Sequence, residues 1–286
     1  MTENMIGEYL EFLDCSACCA VSRENLFALQ KAHLEKIPYN NLEILASRVP
    51  ALDEDLLFEK IIRRKRGGYC FELNGLFAAL LRALGYSVKE YFARWHFGGE
   101  EPVPMRRHRV IEVVLGAQTF IADAGIGSAG SVIPFELIFD KIQERKIRNC
   151  RFVQTKALGI VLQTETEKGW VPYYSFTCDP HYPRDFEYAN FYCAVHPQSI
   201  FRSKFFMHRQ TETVQYYIED LQQPGGELSF CIRKSKTDIE KTLIKSKAQL
   251  SRILKNCFAL SWTAEELDEI HLNPALSRLP LSEKTV

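Results

Sequence analysis

The sequence of 286 residues is 46% apolar and 25% charged, the composition of a soluble globular chain long enough to divide into two or three subdomains. Basic residues (36) balance acidic ones (36), which excludes recognition of nucleic acid through a general basic surface. No apolar run approaches the ~20 residues that cross a bilayer, and the acidic start Met1-Thr2-Glu3-Asn4 leads into no apolar signal core. The expectation is a cytoplasmic protein with neither a membrane nor a nucleic acid as partner.

The first ~90 residues read as helices. In the segment Ser22 to Lys36, Leu26, Leu29, Ala32 and His33 fall at helical spacing, with Ser22 as N-cap and Pro38 beyond the end. Asp53 to Arg64 repeats the pattern. A third helix follows Gly67-Gly68, with Leu73, Leu76, Phe77, Leu80, Leu81 and Leu84 on one face and Gly85 as its stop.

From about Tyr86 to Phe206 the period changes to two. Ser87–Trp95, Arg109–Leu115, Thr119–Ala122, Cys150–Thr155 and Gly159–Thr164 read as strands of an antiparallel barrel or strongly curved sheet. In the last ~80 residues, Thr211–Ile218 and Leu228–Arg233 read as paired strands around Pro224-Gly225-Gly226, and Lys241–Phe258 reads as a helix. The fold class is α+β, with boundaries expected at 1–88, 89–206 and 207–286.

Nine cysteines at irregular spacing do not form a disulfide framework. Cys15-Ser16-Ala17-Cys18-Cys19 has the look of half a zinc site, but no second Cys or His pair at ligand spacing follows. These thiols are expected in a loop between helices, and no metal is expected.

Cys70 stands out by its position. It opens the third helix directly after Arg66-Gly67-Gly68-Tyr69. Free N–H groups and the positive end of the helix dipole favour its thiolate. His108 begins one strand and Asp123 ends the next. If Gly116-Ala117 is the turn and Leu115 faces Gln118, the register sums to 233 and His108 and Asp123 become diagonal neighbours on one face. A three-residue turn would put them on opposite faces. Together the three supply a nucleophile, a base and a carboxylate that holds the imidazole tautomer.

The segment Arg66-Gly67-Gly68-Tyr69-Cys70-Phe71-Glu72-Leu73-Asn74-Gly75-Leu76-Phe77 resembles the nucleophile motif of the arylamine N-acetyltransferases. Ile37-Pro38-Tyr39-Asn40-Asn41-Leu42 is similar to that family's I-P-F-E-N-L, and Asp123-Ala124-Gly125-Ile126-Gly127 to its D-V-G-F-G. Asp185–Asn190 and His196–Phe201 resemble later family segments in the same order. The resemblance implies a helical bundle, a central antiparallel β-barrel and an α/β lid, around a catalytic core like that of cysteine proteases and transglutaminases. It also implies a Cys70–His108–Asp123 triad and ping-pong chemistry. Acetyl-coenzyme A would acylate Cys70, and an arylamine, arylhydrazine or arylhydroxylamine nitrogen would then take the acetyl group. Gly127 is the implied contact to the coenzyme, and Tyr39, Ile126 and Phe201 are the implied contacts to the acceptor.

Three positions depart from the family pattern. Tyr39 and Ile126 stand where the family has phenylalanine, and Asn40 where it has a glutamate that pairs with the arginine matching Arg66. Either Arg66 then has another carboxylate, with Glu43 and Glu72 as candidates, or the loop before Cys70 is held less firmly, and Asn40→Glu is expected to stabilise the fold by adding an ion pair. The run Arg63-Arg64-Lys65-Arg66 reads as a solvated face rather than a phosphate clamp. Two rival activities would use the same triad: an amide synthase with a longer acyl donor and a Cys-His-Asp hydrolase. A binding module without activity is the remaining alternative.

Overall fold

In this computed structural model, which describes residues 1–96, 103–127, 131–145, 148–221, 226–235 and 237–282, side-chain caps set the first helices. Thr2 caps Glu3–Phe12 (α1), and Ser22 caps Arg23–Lys36 (α2) by accepting the Asn25 N–H at 3.1 Å. The strand Tyr39–Asn40 (β1) and helix Leu42–Leu45 (α3) follow. Asp53 caps Glu54–Phe58 (α4), which continues as a π-helical turn over Glu59–Arg63. The helix Cys70–Ala83 (α5) ends at Gly85, whose φ of +90° suits a residue without Cβ. The Cys15-to-Cys19 segment lies between α1 and α2, as expected.

The chain then builds Ser87–Trp95 (β2), Arg106–Leu115 (β3), Gln118–Ala122 (β4), Phe135–Glu136 (β5), Cys150–Thr155 (β6), Gly159–Thr166 (β7) and Gly169–Phe176 (β8). They form one antiparallel sheet in the order β5-β4-β3-β2-β8-β7-β6. This sheet is a curled half-barrel, the strongly curved sheet of the two forms expected rather than the β-barrel the resemblance implies. Among the described residues, the chain after β5 meets β6 at the isolated bridges Phe139↔Phe152 and Gln143↔Cys150 and forms no further strand there. The strand β8 was not foreseen because Pro172 interrupts its pattern. The ladder accommodates that proline where the register shifts between Leu162 and Gln163.

The helix Glu187–Val195 (α6) also escaped the sequence reading. It leaves Tyr188 (67%) and Phe191 (58%) exposed, so its apolar residues mark no single buried stripe. Beyond it, Met207–Gln210 (β9), Gln215–Leu221 (β10), Glu227–Arg233 (β11) and Ile239–Leu243 (β12) form a second antiparallel sheet with β1 in the order β1-β9-β10-β11-β12. The expected strand Thr211–Ile218 is thus split: Thr211 to Val214 is the turn of the β9–β10 hairpin. Its pairing with the next strand holds, through Ile218↔Phe230.

The expected helix Lys241–Phe258 is shortened. Ile239–Leu243 is an exposed edge strand, and Ser246 caps Lys247–Phe258 (α7) by accepting the Gln249 N–H. Ala264–Asp268 (α8) and Pro274–Arg278 (α9) close the fold. No helix among the described residues is long and apolar enough to cross a membrane.

Among the described residues, three apolar clusters hold these layers. One joins α1, α2 and α5 to α6 and the β3–β4 hairpin, and Cys70 lies within it. A second lines the half-barrel with Val110, Phe152, Leu162 and Tyr174. A third packs Leu250, Leu254 and Phe258 of α7 on Ile218, Leu228 and Phe230. Each such side chain contributes roughly 1.5–3 kcal/mol of burial before entropy is counted.

Candidate active site

The approach to Cys70 is a clamped turn. Gly67 has φ +61°, and a Cβ there would meet the Pro38 carbonyl oxygen and Asn40 Nδ2, both at 2.5 Å. Asn40 N–H donates to the Gly68 carbonyl at 2.7 Å, so β1 and the glycine pair are stapled together. The Tyr69 N–H, free at the helix start, donates to Glu72 Oε2 at 3.1 Å. Glu72 is itself buried and receives Lys60 Nζ, which also meets Glu43 at 2.8 Å. Burial raises the Glu72 carboxyl above its ordinary range, and Lys60 opposes that.

Both carboxylates proposed for Arg66 are therefore engaged by Lys60. Arg66 instead forms a two-pronged pair with Glu266 of α8, at 2.7 and 3.1 Å. It also donates to the Ser261 carbonyl at 2.6 Å and stacks 3.8 Å from the Trp262 ring centre. Asn40 does not touch the guanidinium. Its Nδ2 donates to the Arg66 carbonyl at 3.0 Å, and its Oδ1 accepts the Leu42 N–H. In the neighbouring basic run, Arg63 pairs with Glu8 and Glu59.

Cys70 is the first residue of α5 and is 2% exposed. Its thiol donates to the Arg107 carbonyl at 3.7 Å, which sets the sulfur beside the peptide leading into His108. Burial pushes the thiol well above its ordinary value. Cys193 and Asp123 add to the rise, and the Phe71 N–H opposes it. Burial thus works against the thiolate that the helix start favours, and loss of the proton calls for a partner that gains positive charge.

The β3–β4 register follows the expected sum, from Leu115↔Gln118 to Ile111↔Ala122. Continued by geometry past the strand end, it brings His108 Nε2 to 2.7 Å from Asp123 Oδ2, both residues being buried. The imidazole is walled by Trp95 and Tyr174, with ring centres 5.5 and 5.9 Å away.

The residue the sequence reading left without a role is Asn74. One helical turn beyond Cys70, it faces the same side of α5. Its Nδ2 donates to Asp123 Oδ1 at 2.8 Å, and its Oδ1 accepts the N–H groups of Ala124 and Gly125 at 2.8 and 3.1 Å. Gln30 Oε1 of α2 accepts the Asp123 N–H at 3.0 Å. The signal available in the sequence was a polar residue at i+4 from the nucleophile on an otherwise apolar face.

Gly125 and Gly127 are close-approach positions. A Cβ on Gly125 would lie 2.9 Å from Cys70 Cα, and one on Gly127 would lie 2.7 Å from Tyr39 Cζ. Tyr39 is 7% exposed, and burial, with the Cys70 sulfur nearby, raises its hydroxyl well above the ordinary value. Phe201 sets its ring 5.5 Å from that of Tyr69, next to Cys70 in sequence. Ile126 is buried in the half-barrel cluster with Phe135 and Tyr174. The rest of the glycine run, Ser128, Ala129 and Gly130, lies outside the described residues. Among the described residues, no group of three or more His, Cys, Asp or Glu side chains is arranged to hold a metal ion.

A family model described as N-acetyltransferase matches residues 23–267. The chain is 33% identical over 205 residues to an arylamine N-acetyltransferase of Escherichia coli (strain K12), a match covering 72% of this chain and 73% of that protein. It is 34% identical over 206 residues to an arylamine N-acetyltransferase / N-hydroxyarylamine O-acetyltransferase of Salmonella typhimurium, with the same coverage of 72% and 73%. The solved arylamine N-acetyltransferase from Salmonella typhimurium superimposes with a TM-score of 0.82 at 29% identity, over 94% of this chain and 98% of that one. The fold is also that of a Mycobacterium marinum arylamine N-acetyltransferase solved in complex with CoA, with a TM-score of 0.80 at 22% identity over 96% and 99% of the two chains. By sequence and by fold, this chain belongs to the arylamine N-acetyltransferase family of acyltransferases.

Proposed function

We propose that the protein moves an acetyl group from acetyl-coenzyme A to the nitrogen of an arylamine, arylhydrazine or arylhydroxylamine through a thioester on Cys70. The observation that carries this reading is the 2.7 Å contact of His108 Nε2 with Asp123 beside the start of the Cys70 helix. With Nε2 committed to the carboxylate, Nδ1 is the nitrogen left to take the Cys70 proton. The buried thiol then ionises as part of a thiolate–imidazolium pair, and Asp123 stabilises the positive ring.

In the first half-reaction, Cys70 sulfur attacks the thioester carbonyl, the carbon–sulfur bond to coenzyme A breaks, and the imidazolium proton goes to the departing thiolate. In the second, the acceptor nitrogen attacks the Cys70 thioester, His108 takes a proton from it, and Cys70 leaves. N–H groups at the start of α5, Phe71 among them, supply the positive potential for the developing oxyanion. The acceptor would lie against Tyr39 and Phe201 with Ile126 behind them, and Gly127 would let the coenzyme approach the backbone.

The division into a helical bundle over 1–88, a barrel-like sheet over 89–206 and an α/β lid over 207–286, with a cysteine-protease-like core, belongs to the same proposal. So does a cytoplasmic location, which suits nine free thiols. Intact mass spectrometry after mixing with acetyl-coenzyme A tests the central step. One acetyl group should appear on the protein, be absent from Cys70→Ala, and disappear on addition of an aniline or hydrazine. Absence of an adduct with any thioester defeats the proposal. Acylation by longer thioesters but not acetyl-coenzyme A would make the enzyme an amide synthase, and discharge at a rate the amine does not change would make it a hydrolase.

A further inference from the structure

We infer that the protein carries a second ligand site, behind the turn that delivers Cys70, suited to a small organic anion with an apolar body. A cavity of about 280 Å³ opens where α1, α2, the end of α7 and the Cys70 approach meet. That volume is close to the lower end for small-molecule sites, about 300 Å³. Its lining includes the apolar Phe12, Pro38 and Ile61 and three cations, Lys36, Lys65 and Arg209. None of the nine lining residues is acidic.

The charges are unequally satisfied. Lys36 pairs with Asp14 and donates to the Phe12 carbonyl at 2.9 Å. Arg209 donates Nε to the Glu35 carbonyl at 2.6 Å and Nη1 to the Cys257 carbonyl at 2.7 Å, both neutral acceptors. Among the described residues neither Arg209 nor Lys65 forms an ion pair with a carboxylate. Among the described residues, the exposed Lys65 and the half-buried Arg209 thus border a largely apolar recess without a carboxylate partner. Such a recess discriminates for an anion whose apolar part fills the floor.

Two helix ends shape this wall: Ala259 (φ +54°) is the left-handed C-cap of α7, and Lys65 (φ +51°) follows the end of the π-helical turn at Arg64, beside Gly67 at +61°. The cavity also touches the active-site approach from outside. Pro38 and Gly67 form part of its lining; Tyr39, next to Pro38, reaches Gly127, and Gly67 stands three residues before Cys70. The site is distinct from the acyl-transfer site and does not depend on the acetyl-transfer reading.

Isothermal titration of the intact protein without acyl donor tests the inference with three probes: phenylacetate, phenyl phosphate and the neutral phenylacetamide. The anions should bind at least fivefold more tightly than the amide, and the tighter of the two names the head group. Lys65→Asn removes the charge while tolerating φ > 0, and should weaken anion binding roughly two- to fivefold. Lys65→Asp should weaken it further. Both variants should keep the wild-type melting temperature and acetyl-transfer rate. Failure of both anions to bind overturns the site. So do equal affinities for acid and amide, undiminished binding in Lys65→Asp, or displacement of the probe by coenzyme A or an aniline.

Discussion

Asn74 holds Asp123: its amide donates to Asp123 Oδ1 at 2.8 Å, which leaves Oδ2 to meet His108 at 2.7 Å. The same amide oxygen ties down the two N–H groups that follow Asp123. One side chain on the Cys70 helix thus sets the angle of the carboxylate just past the end of β4. Asn74→Ala should lower kcat about 10- to 100-fold through misplacement of the His108–Asp123 pair, with KM for the thioester little changed. It should also cost about 1–3 kcal/mol in urea unfolding, because buried N–H groups lose their acceptor. Wild-type kcat in a folded Asn74→Ala protein would remove Asn74 from the positioning machinery.

The Arg66–Glu266 pair reverses the stability expectation for Asn40. A glutamate at position 40 would no longer donate to the Arg66 carbonyl and would bring a charge to a site that is 4% exposed. Arg66 already holds Glu266 with two N–H groups and the Ser261 carbonyl with one of them. Asn40→Glu should therefore lower the melting temperature, with a loss of about 1–3 kcal/mol. Scanning calorimetry of the single variant decides it, and a higher melting temperature would restore the missing-ion-pair view.

The contrast between these residues explains what the sequence could disclose. The His108–Asp123 meeting followed from a two-residue turn and a ladder of period two, both local, so the register sum of 233 sufficed. Cys70 at a helix start was equally local. The partner of Arg66 lies 200 residues away on α8, and nothing in the periodicity of either segment links them. The edge strand β12 has five exposed residues and takes its strand character from β11, not from its own alternation. Its end, Lys241-Thr242-Leu243, therefore merged with the following helix, although Ser246 was present as a cap.

Acid stability should be governed by two buried histidines outside the active site. Burial lowers His33 from an ordinary 6.5 to about 3 and His208 from 6.5 to about 4. Each is neutral when folded and takes a proton when the chain unfolds below pH 6.5. Their contribution is complete above that pH and is lost as pH falls towards about 3 for His33 and about 4 for His208. Within those windows each histidine should add about 1.4 kcal/mol per pH unit to the slope. His33 Nδ1 meets the Tyr9 hydroxyl at 2.8 Å, so glutamine preserves a polar partner there. Urea midpoints between pH 7 and 5 should flatten in His33→Gln and flatten further in the double variant with His208→Gln. An unchanged slope would place the acid sensitivity elsewhere.

The two close-approach glycines after Asp123 should respond differently to the same substitution. Alanine at position 125 would press on Cys70 Cα at 2.9 Å and on its carbonyl oxygen at 3.0 Å, atoms of the helix start that cannot move without displacing the nucleophile. Alanine at position 127 would press on the Tyr39 ring, a side chain that can be replaced. Both variants should lose activity, by about tenfold or more where a reacting group shifts by about an ångström. Replacing Tyr39 by leucine should restore acyl-enzyme formation in Gly127→Ala and leave Gly125→Ala unimproved. Tyr39→Phe should rescue neither, because the 2.7 and 2.8 Å contacts are to Cζ and Cε1, which phenylalanine retains. Acyl-enzyme formation measured by rapid-quench mass spectrometry separates these outcomes from changes in acceptor affinity. Equal rescue of both glycine variants by Tyr39→Leu would mean that the Tyr39 ring, rather than the Cys70 backbone, is what each added methyl group disturbs.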